Sequence, residues 1–185
     1  FADKSITDSI KSDLKGIYQK HNIKTAVQAV RELNKRNIKI SRSNIKSGLL
    51  KVIENTKLLG RWQQLQSKPD VFCDTAHNKE GLVYVLKQLQ EQEYKQLRIV
   101  LGFVKDKNID EIIKLFPLEA TYYYCQPNIP RALEADVLQT KFEDNNYKGK
   151  AYASVNNAYK EALNKAKKED LIFVGGSTFV VAEIL

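Results

Sequence analysis

Residues 58–78 read LLGRWQQLQSKPDVFCDTAHN, and the fold follows from how this stretch divides. Gly60 and Arg61 make a turn. Trp62 to Gln66 has the look of a short edge strand. Lys68-Pro69-Asp70 turns the chain, and Val71, Phe72 and Cys73 form an apolar run that stops at Asp74-Thr75-Ala76-His77-Asn78. An apolar strand ending in short polar residues, with a helix directly after, is how an α/β domain builds a ligand site at the carboxyl end of its sheet.

Downstream, strand and helix patterns alternate. We expect strands at Val71–Asp74, Leu97–Phe103, Ala120–Cys125, Gly149–Ala153 and Leu171–Val174, with Trp62–Gln66 at the edge. LRIVLGF (97–103) is a near-continuous apolar run, the signature of a parallel strand covered on both faces. Helices are expected over Asn78–Gln92, Ile109–Phe116, Pro130–Asn145, Ser154 to about Lys168, and Phe179–Leu185. Pro130 would stand at a helix start, where a missing amide costs nothing. Together these predict an α/β fold, a mostly parallel six-stranded sheet flanked by helices. Upstream, Ile23, Ala26, Val27, Val30 and Leu33 fit a helix that Asn22 would cap. Residues 41–55 read as one second helix, capped by Ser41 or Ser43.

Charge marks a boundary. Residues 1–60 carry 13 Lys and Arg against 5 Asp and Glu, whereas 61–185 carry 17 of each. The basic residues interleave with a helical apolar period and offer no aromatic stacking platform, which argues against a nucleic-acid partner. No apolar run approaches the length of a membrane span, and FADKSITDSIKSD opens without a signal pattern. The chain contains no Met, so we expect a piece of a longer protein. Cys73 and Cys125 end apolar runs and read as buried free thiols of a reduced, cytoplasmic protein.

Four polar sites stand out. Asp74, His77 and Asn78 either meet a ligand or cap a helix. Arg61 either holds phosphate or makes a surface ion pair. Gly175-Gly176-Ser177-Thr178 either lets a ligand approach the backbone or is a tight turn with Ser177 as cap. Gln19 and Asn22 are two amides one turn apart. No G-K-[ST] follows the Gly pair, and no G-x-G-x-x-G follows a strand.

Five elements occur in order: G-x-Y-Q-x-x-N (16–22), L-G-R-W (59–62), D-T-A-H-N (74–78), L-G-x-x-x-D-K (101–107) and G-G-S (175–177). The set resembles the carboxy-terminal part of folylpolyglutamate synthase / dihydrofolate synthase, in the Mur-ligase superfamily. The resemblance implies that 1–56 is the helical tail of the central ATPase domain and that 57–185 is the Rossmann-like glutamate-ligase domain. It implies ATP-dependent joining of L-glutamate to a folate or dihydropteroate carboxyl through an acyl phosphate, by a monomer. It places ATP at Asn22, Arg61 and Asp74, glutamate near His77 and Ser177, and catalytic help at His77 and Lys107. It places the Mg2+ ligands upstream of residue 1, which leaves this chain inactive by itself. A cell-wall Mur-type ligase domain and a stand-alone nucleotide-binding module are the alternatives.

Overall fold

The computed structural model describes residues 11–185; residues 1–10, most of the stretch read as lacking a signal pattern, lie outside them. The chain forms two compact units, 1–59 and 60–185.

The first unit contains helices α1 (Gln19–Lys35), α2 (Arg42–Leu50) and α3 (Val52–Thr56). Helix α1 starts three residues before Asn22, at a Tyr18 cap that makes no side-chain bond. Asn22 is therefore a first-turn residue and not the cap expected for it. Ser41 caps α2, as expected, in a reciprocal capping box with Asn44. The single helix expected over 41–55 instead breaks at Lys51. The Asp13 carboxylate accepts from the amides of Val52 at 3.1 Å and Ile53 at 2.8 Å. Those bonds satisfy the orphan donors of a new helix start, so a second short helix replaces continuation of the first.

The second unit carries the sheet. Its strands are β1 (Gln63–Gln66), β2 (Asp70–Cys73), β3 (Leu97–Leu101), β4 (Thr121–Cys125), β5 (Lys148–Tyr152) and β6 (Leu171–Gly175), in the order β1-β2-β6-β3-β4-β5. Only β1 runs antiparallel, at the edge, as its sequence suggests. The other pairings are parallel. All residues of β3 and β6 are buried, which is why these strands read as unbroken apolar runs.

Helices α4 (Lys79–Gln90), α5 (Ile109–Ile113), α6 (Ala135–Glu143), α7 (Val155–Lys165) and α8 (Thr178–Ala182) cover the sheet. Side chains of a strand alternate between faces. Val71, Cys73, Val100, Tyr123 and Cys125 join Val155, Ala158 and Ala162 of α7 and Val180 and Val181 of α8 in one cluster. Tyr122 and Tyr124 point the other way, under α6, and pack with Phe142 and Tyr147. Asn78 caps α4 and Ser154 caps α7 through the amides of Gly81 and Asn157. Helix α6 starts at Ala135, not at Pro130. The segment from Ile129 is held instead by an antiparallel bridge of Ala132 to Val104 and by Leu133 N donating to Phe103 O at 2.9 Å. Among the described residues no helix is long and apolar enough to cross a membrane.

Cys73 and Cys125 are fully buried free thiols, as expected. Burial, reinforced by the Asp74 charge, pushes the Cys73 thiol from 9.0 up to about 12; burial, then Glu183, pushes Cys125 up further. At pH 8 both stay protonated. Neither should react with an aromatic disulfide reagent until denaturant unfolds the second unit, after which both should react. An unfolded thiol ionises from about pH 8.5 while the folded one resists. Stability from this source is therefore complete below about pH 8.5 and is lost as pH rises toward 12.

Candidate functional site at the carboxyl end of the sheet

The carboxyl ends of β2, β6 and β3 lead into Asp74–Asn78, Gly176–Thr178 and Gly102–Lys107. Because β1 is antiparallel to β2, with Gln63 opposite Cys73, the Gly60-Arg61-Trp62 turn lies at this same end. Five of the six candidate residues are thus on one edge of the second unit: Arg61, Asp74, His77, Lys107 and Ser177. Asn22 belongs to the first unit.

Asp74 is 1% exposed. Its Oδ2 accepts from the amide of Trp62 at 2.7 Å and its Oδ1 from the amide of Ala76 at 2.8 Å. Thr75 N donates to Gly60 O at 3.0 Å. The DTAHN and GRW turns are therefore stitched together by Asp74 and the backbone beside it. The turn between them is unusual. Gly60 has φ +68 and Trp62 has φ +49, a left-handed conformation that costs a non-glycine residue roughly 1–2 kcal/mol. The Asp74 bond offsets that cost, and Trp62 stacks on Phe72 with centroids 5.1 Å apart. Gly60 admits no side chain, since a Cβ there would lie 2.8 Å from Thr75 Cγ2 and 3.0 Å from Val181 Cγ1.

This turn presents Arg61. The residue is half-buried, and among the described residues its guanidinium has no hydrogen-bond or ion-pair partner. The surface ion pair, one of the two readings of Arg61, is not formed among the described residues. Lys107, half-buried in the β3 exit loop, is likewise without a side-chain partner among the described residues.

His77 is exposed, and its Nδ1 lies 3.0 Å from Thr75 O. A carbonyl oxygen only accepts, so Nδ1 is the donor of this bond and Nε2 is left clear of it. The Thr75 hydroxyl itself is buried without a partner. Asn78, not Asp74, takes the helix-capping role.

Ser177 is 3% exposed, and its Oγ accepts from Phe179 N at 3.2 Å. Its hydroxyl caps α8, the alternative that the sequence left open. Gly176 has φ +89, and a Cβ there would lie 2.7 Å from Gly102 O. The β6 and β3 exits therefore approach backbone to backbone. In the first unit, Asn22 Nδ2 donates to Gln19 Oε1 at 2.9 Å. Gln19 is buried, whereas Asn22 is exposed.

No group of three or more His, Cys, Asp or Glu that could hold a metal ion occurs among the described residues. What sequence reasoning missed is the backbone role of Trp62, whose amide donates to Asp74, and Arg131, which lies across the ring of Phe179. L-G-R-W marks Trp62 without giving this role, and Arg131 has no local pattern that reveals it.

One prediction follows from the clamp. Asp74→Asn keeps one acceptor and turns the other into a donor facing a backbone N–H. It should destabilise the second unit by roughly 1.5–3 kcal/mol, the worth of a hydrogen bond to a charged group. A urea midpoint equal to wild type would show that the clamp contributes nothing.

The family model described as "Mur ligase, glutamate ligase domain" matches residues 60–178. A Haloferax volcanii protein named "Probable bifunctional folylpolyglutamate synthase/dihydropteroate synthase" is 31% identical over 96% of this chain and 20% of its own length. A Bacillus subtilis dihydrofolate synthase/folylpolyglutamate synthase is 29% identical over 96% of this chain and 40% of its own. Escherichia coli FolC, solved in complex with DHPP and ADP, superposes with a TM-score of 0.74 at 26% identity, over 88% of this chain and 37% of that one. The chain thus spans well under half the length of these relatives. With the match covering most of the second unit, the chain belongs to the Mur ligase glutamate ligase domain family.

Proposed function

We propose that this chain is the carboxy-terminal portion of a bifunctional folylpolyglutamate synthase/dihydrofolate synthase. Residues 1–56 are the tail of its ATPase domain, and 57–185 are its glutamate-ligase domain. The intact enzyme works as a monomer in the cytoplasm. The observation that carries this reading is the unpaired, half-buried Arg61 guanidinium. It sits on a strained turn that Asp74 holds at the carboxyl end of the sheet.

The reaction has two steps. The γ-phosphoryl group of ATP passes to a folate or dihydropteroate carboxylate, giving ADP and an acyl phosphate. The glutamate amine then attacks the acyl carbon, the C–O bond to phosphate breaks, and amide and inorganic phosphate leave. Arg61 meets the phosphates as a bidentate donor and steadies charge on the group in transfer. Lys107 adds a second positive charge at the same edge. His77, through Nε2, takes a proton from the glutamate ammonium, which must be neutral to attack. Asn22, on the first unit, is a nucleotide contact. Asp74 acts on the nucleotide through the turn that it holds, since its own oxygens are bonded to amides. Ser177 shapes the glutamate side through the α8 cap. A divalent magnesium ion neutralises ATP in such ligases. The described residues include no group of three or more His, Cys, Asp or Glu that could hold it.

The test is an assay of the intact enzyme for phosphate release. Release should require ATP, L-glutamate and a dihydropteroate or folate together, and residues 1–185 alone should release none. Release independent of glutamate, or turnover by the 185-residue chain, would overturn the reading.

A further inference from the structure

Thr75 follows Asp74 at the carboxyl end of β2 and is 7% exposed. Its backbone is committed. Thr75 N donates to Gly60 O at 3.0 Å, and Thr75 O accepts from His77 Nδ1 at 3.0 Å. Its hydroxyl is buried and has no hydrogen-bond partner among the described residues. Taking a hydroxyl out of water without a new partner is unfavourable, and a valine of the same shape would avoid the penalty. Buried polar groups are nearly always paired, so an orphan needs a physical account. Tyr124 Oη is the other such atom among the described residues. It belongs to the aromatic cluster under α6, where Tyr124 packs on Tyr122 and Phe142. Thr75 instead stands among the turns of the candidate site.

The surroundings of Thr75 supply that account. A Cβ at Gly60 would lie 2.8 Å from Thr75 Cγ2, so the methyl group faces the Gly60-Arg61 turn. Staggered rotamers differ by about 120° at χ1, and one such step brings Oγ1 to the place of Cγ2. The hydroxyl then stands against the turn that carries the Arg61 guanidinium, with no movement of the backbone. Arg61 selects an anionic group. A threonine hydroxyl offers one O–H donor, and a bond from a neutral donor to an anionic oxygen is stronger than one between neutral groups.

We propose that the Thr75 hydroxyl donates to a phosphate oxygen of ATP, beside the two-pronged contact of Arg61. The proposal rests on the nucleotide reading of this edge given above. In the free protein the hydroxyl is held unpaired and lowers stability. In the complex it turns outward and gains its partner. The D-T-A-H-N turn thus serves the nucleotide through a side chain of its own as well as through the Asp74 clamp.

The experiment titrates a non-hydrolysable ATP analogue into the intact ligase, for wild type, Thr75→Val and Thr75→Ser, and records each protein's melting temperature without nucleotide. Thr75→Val keeps the shape and removes the hydroxyl. Its affinity should fall roughly tenfold or more, the range of a lost hydrogen bond to a charged group. Its melting temperature should stay level or rise, because an orphan has been removed. Thr75→Ser keeps the hydroxyl, and its affinity should stay within a few-fold of wild type. Unchanged affinity in Thr75→Val overturns the proposal, as does an equal loss in Thr75→Ser. A lower melting temperature in Thr75→Val overturns it too, since the hydroxyl would then have a partner in the free protein. Each of these leaves the ligase reading standing. A wild-type enzyme that binds no analogue overturns both.

Discussion

Arg61→Ala in the intact ligase is expected to lower ATP- and glutamate-dependent turnover by roughly 10²–10³-fold, the cost of removing one preorganised donor from a developing charge. The expectation comes from what the protein invests in this side chain. Two residues flanking Arg61 sit at positive φ. A buried carboxylate is spent on holding the second of them, and Gly60 is wedged where no Cβ fits. Strain of this sort persists where the surroundings over-determine it, and such places cluster at ligand clamps. Arg61→Lys should recover only part of the loss, because a point charge does not reproduce a two-pronged contact. The melting temperature should hardly change in either variant, since Arg61 has no partner to lose. A turnover within a few-fold of wild type would mean that the turn serves the fold alone.

The second large effect lies at the opposite end of the sheet. Arg98 and Asp170 are 9% and 4% exposed at their side chains. Arg98 Nε and Nη2 both donate to Asp170 Oδ2 at 3.2 Å, and Nη1 donates to Tyr123 Oη at 2.8 Å. Asp170 also receives Lys167 N at 2.9 Å, which fixes the turn into β6. Asp170→Ala would leave a guanidinium buried beside the start of β3 without its counter-charge. Breaking one side of a buried pair costs about 3–5 kcal/mol, a large share of the 5–15 kcal/mol that holds a typical domain. We expect the urea midpoint to fall accordingly, with glutamate and ATP KM unchanged in the fraction that remains folded. Arg98→Met combined with Asp170→Leu should recover much of the loss, because the stranded charge is gone. A double variant as unstable as the single one would show that packing, and not charge, governs this site.

How much of this was legible in the sequence depends on how far the deciding contact lies along the chain. LRIVLGF needs no partner to be read as a buried strand, and Asn78 and Ser154 announce their helices within three residues. The α/β fold and its six strands follow from such local signals. Two of the three errors come from contacts distant in the chain. Asn22 looked like a cap because its neighbours ahead are helical, but α1 extends back to Gln19. The helix over 41–55 breaks because Asp13, some 40 residues earlier, takes two of its amides. Pro130 begins no helix, since its segment is bound to the β3 exit loop.

The site follows the same rule. The motifs named Arg61, Asp74, His77, Lys107 and Ser177, and β-strand connectivity gathers them at one edge. Their individual jobs were not legible. Asp74 looks like a ligand residue in DTAHN, yet one oxygen takes a backbone amide 12 residues away and the other an amide of its own turn. Ser177 looks like an anion donor in GGST, yet its hydroxyl caps α8. Arg131 looks like an ordinary surface cation until the ring of Phe179 is placed beneath it.

The most direct measurement is calorimetric titration of a non-hydrolysable ATP analogue into the intact enzyme, wild type beside Arg61→Ala. If the carboxyl end of this sheet holds the nucleotide phosphates, affinity should fall by roughly tenfold or more, as expected for loss of a hydrogen bond to a charged group. Equal affinity in the two proteins would place the phosphates elsewhere and contradict the account of this edge as a nucleotide site.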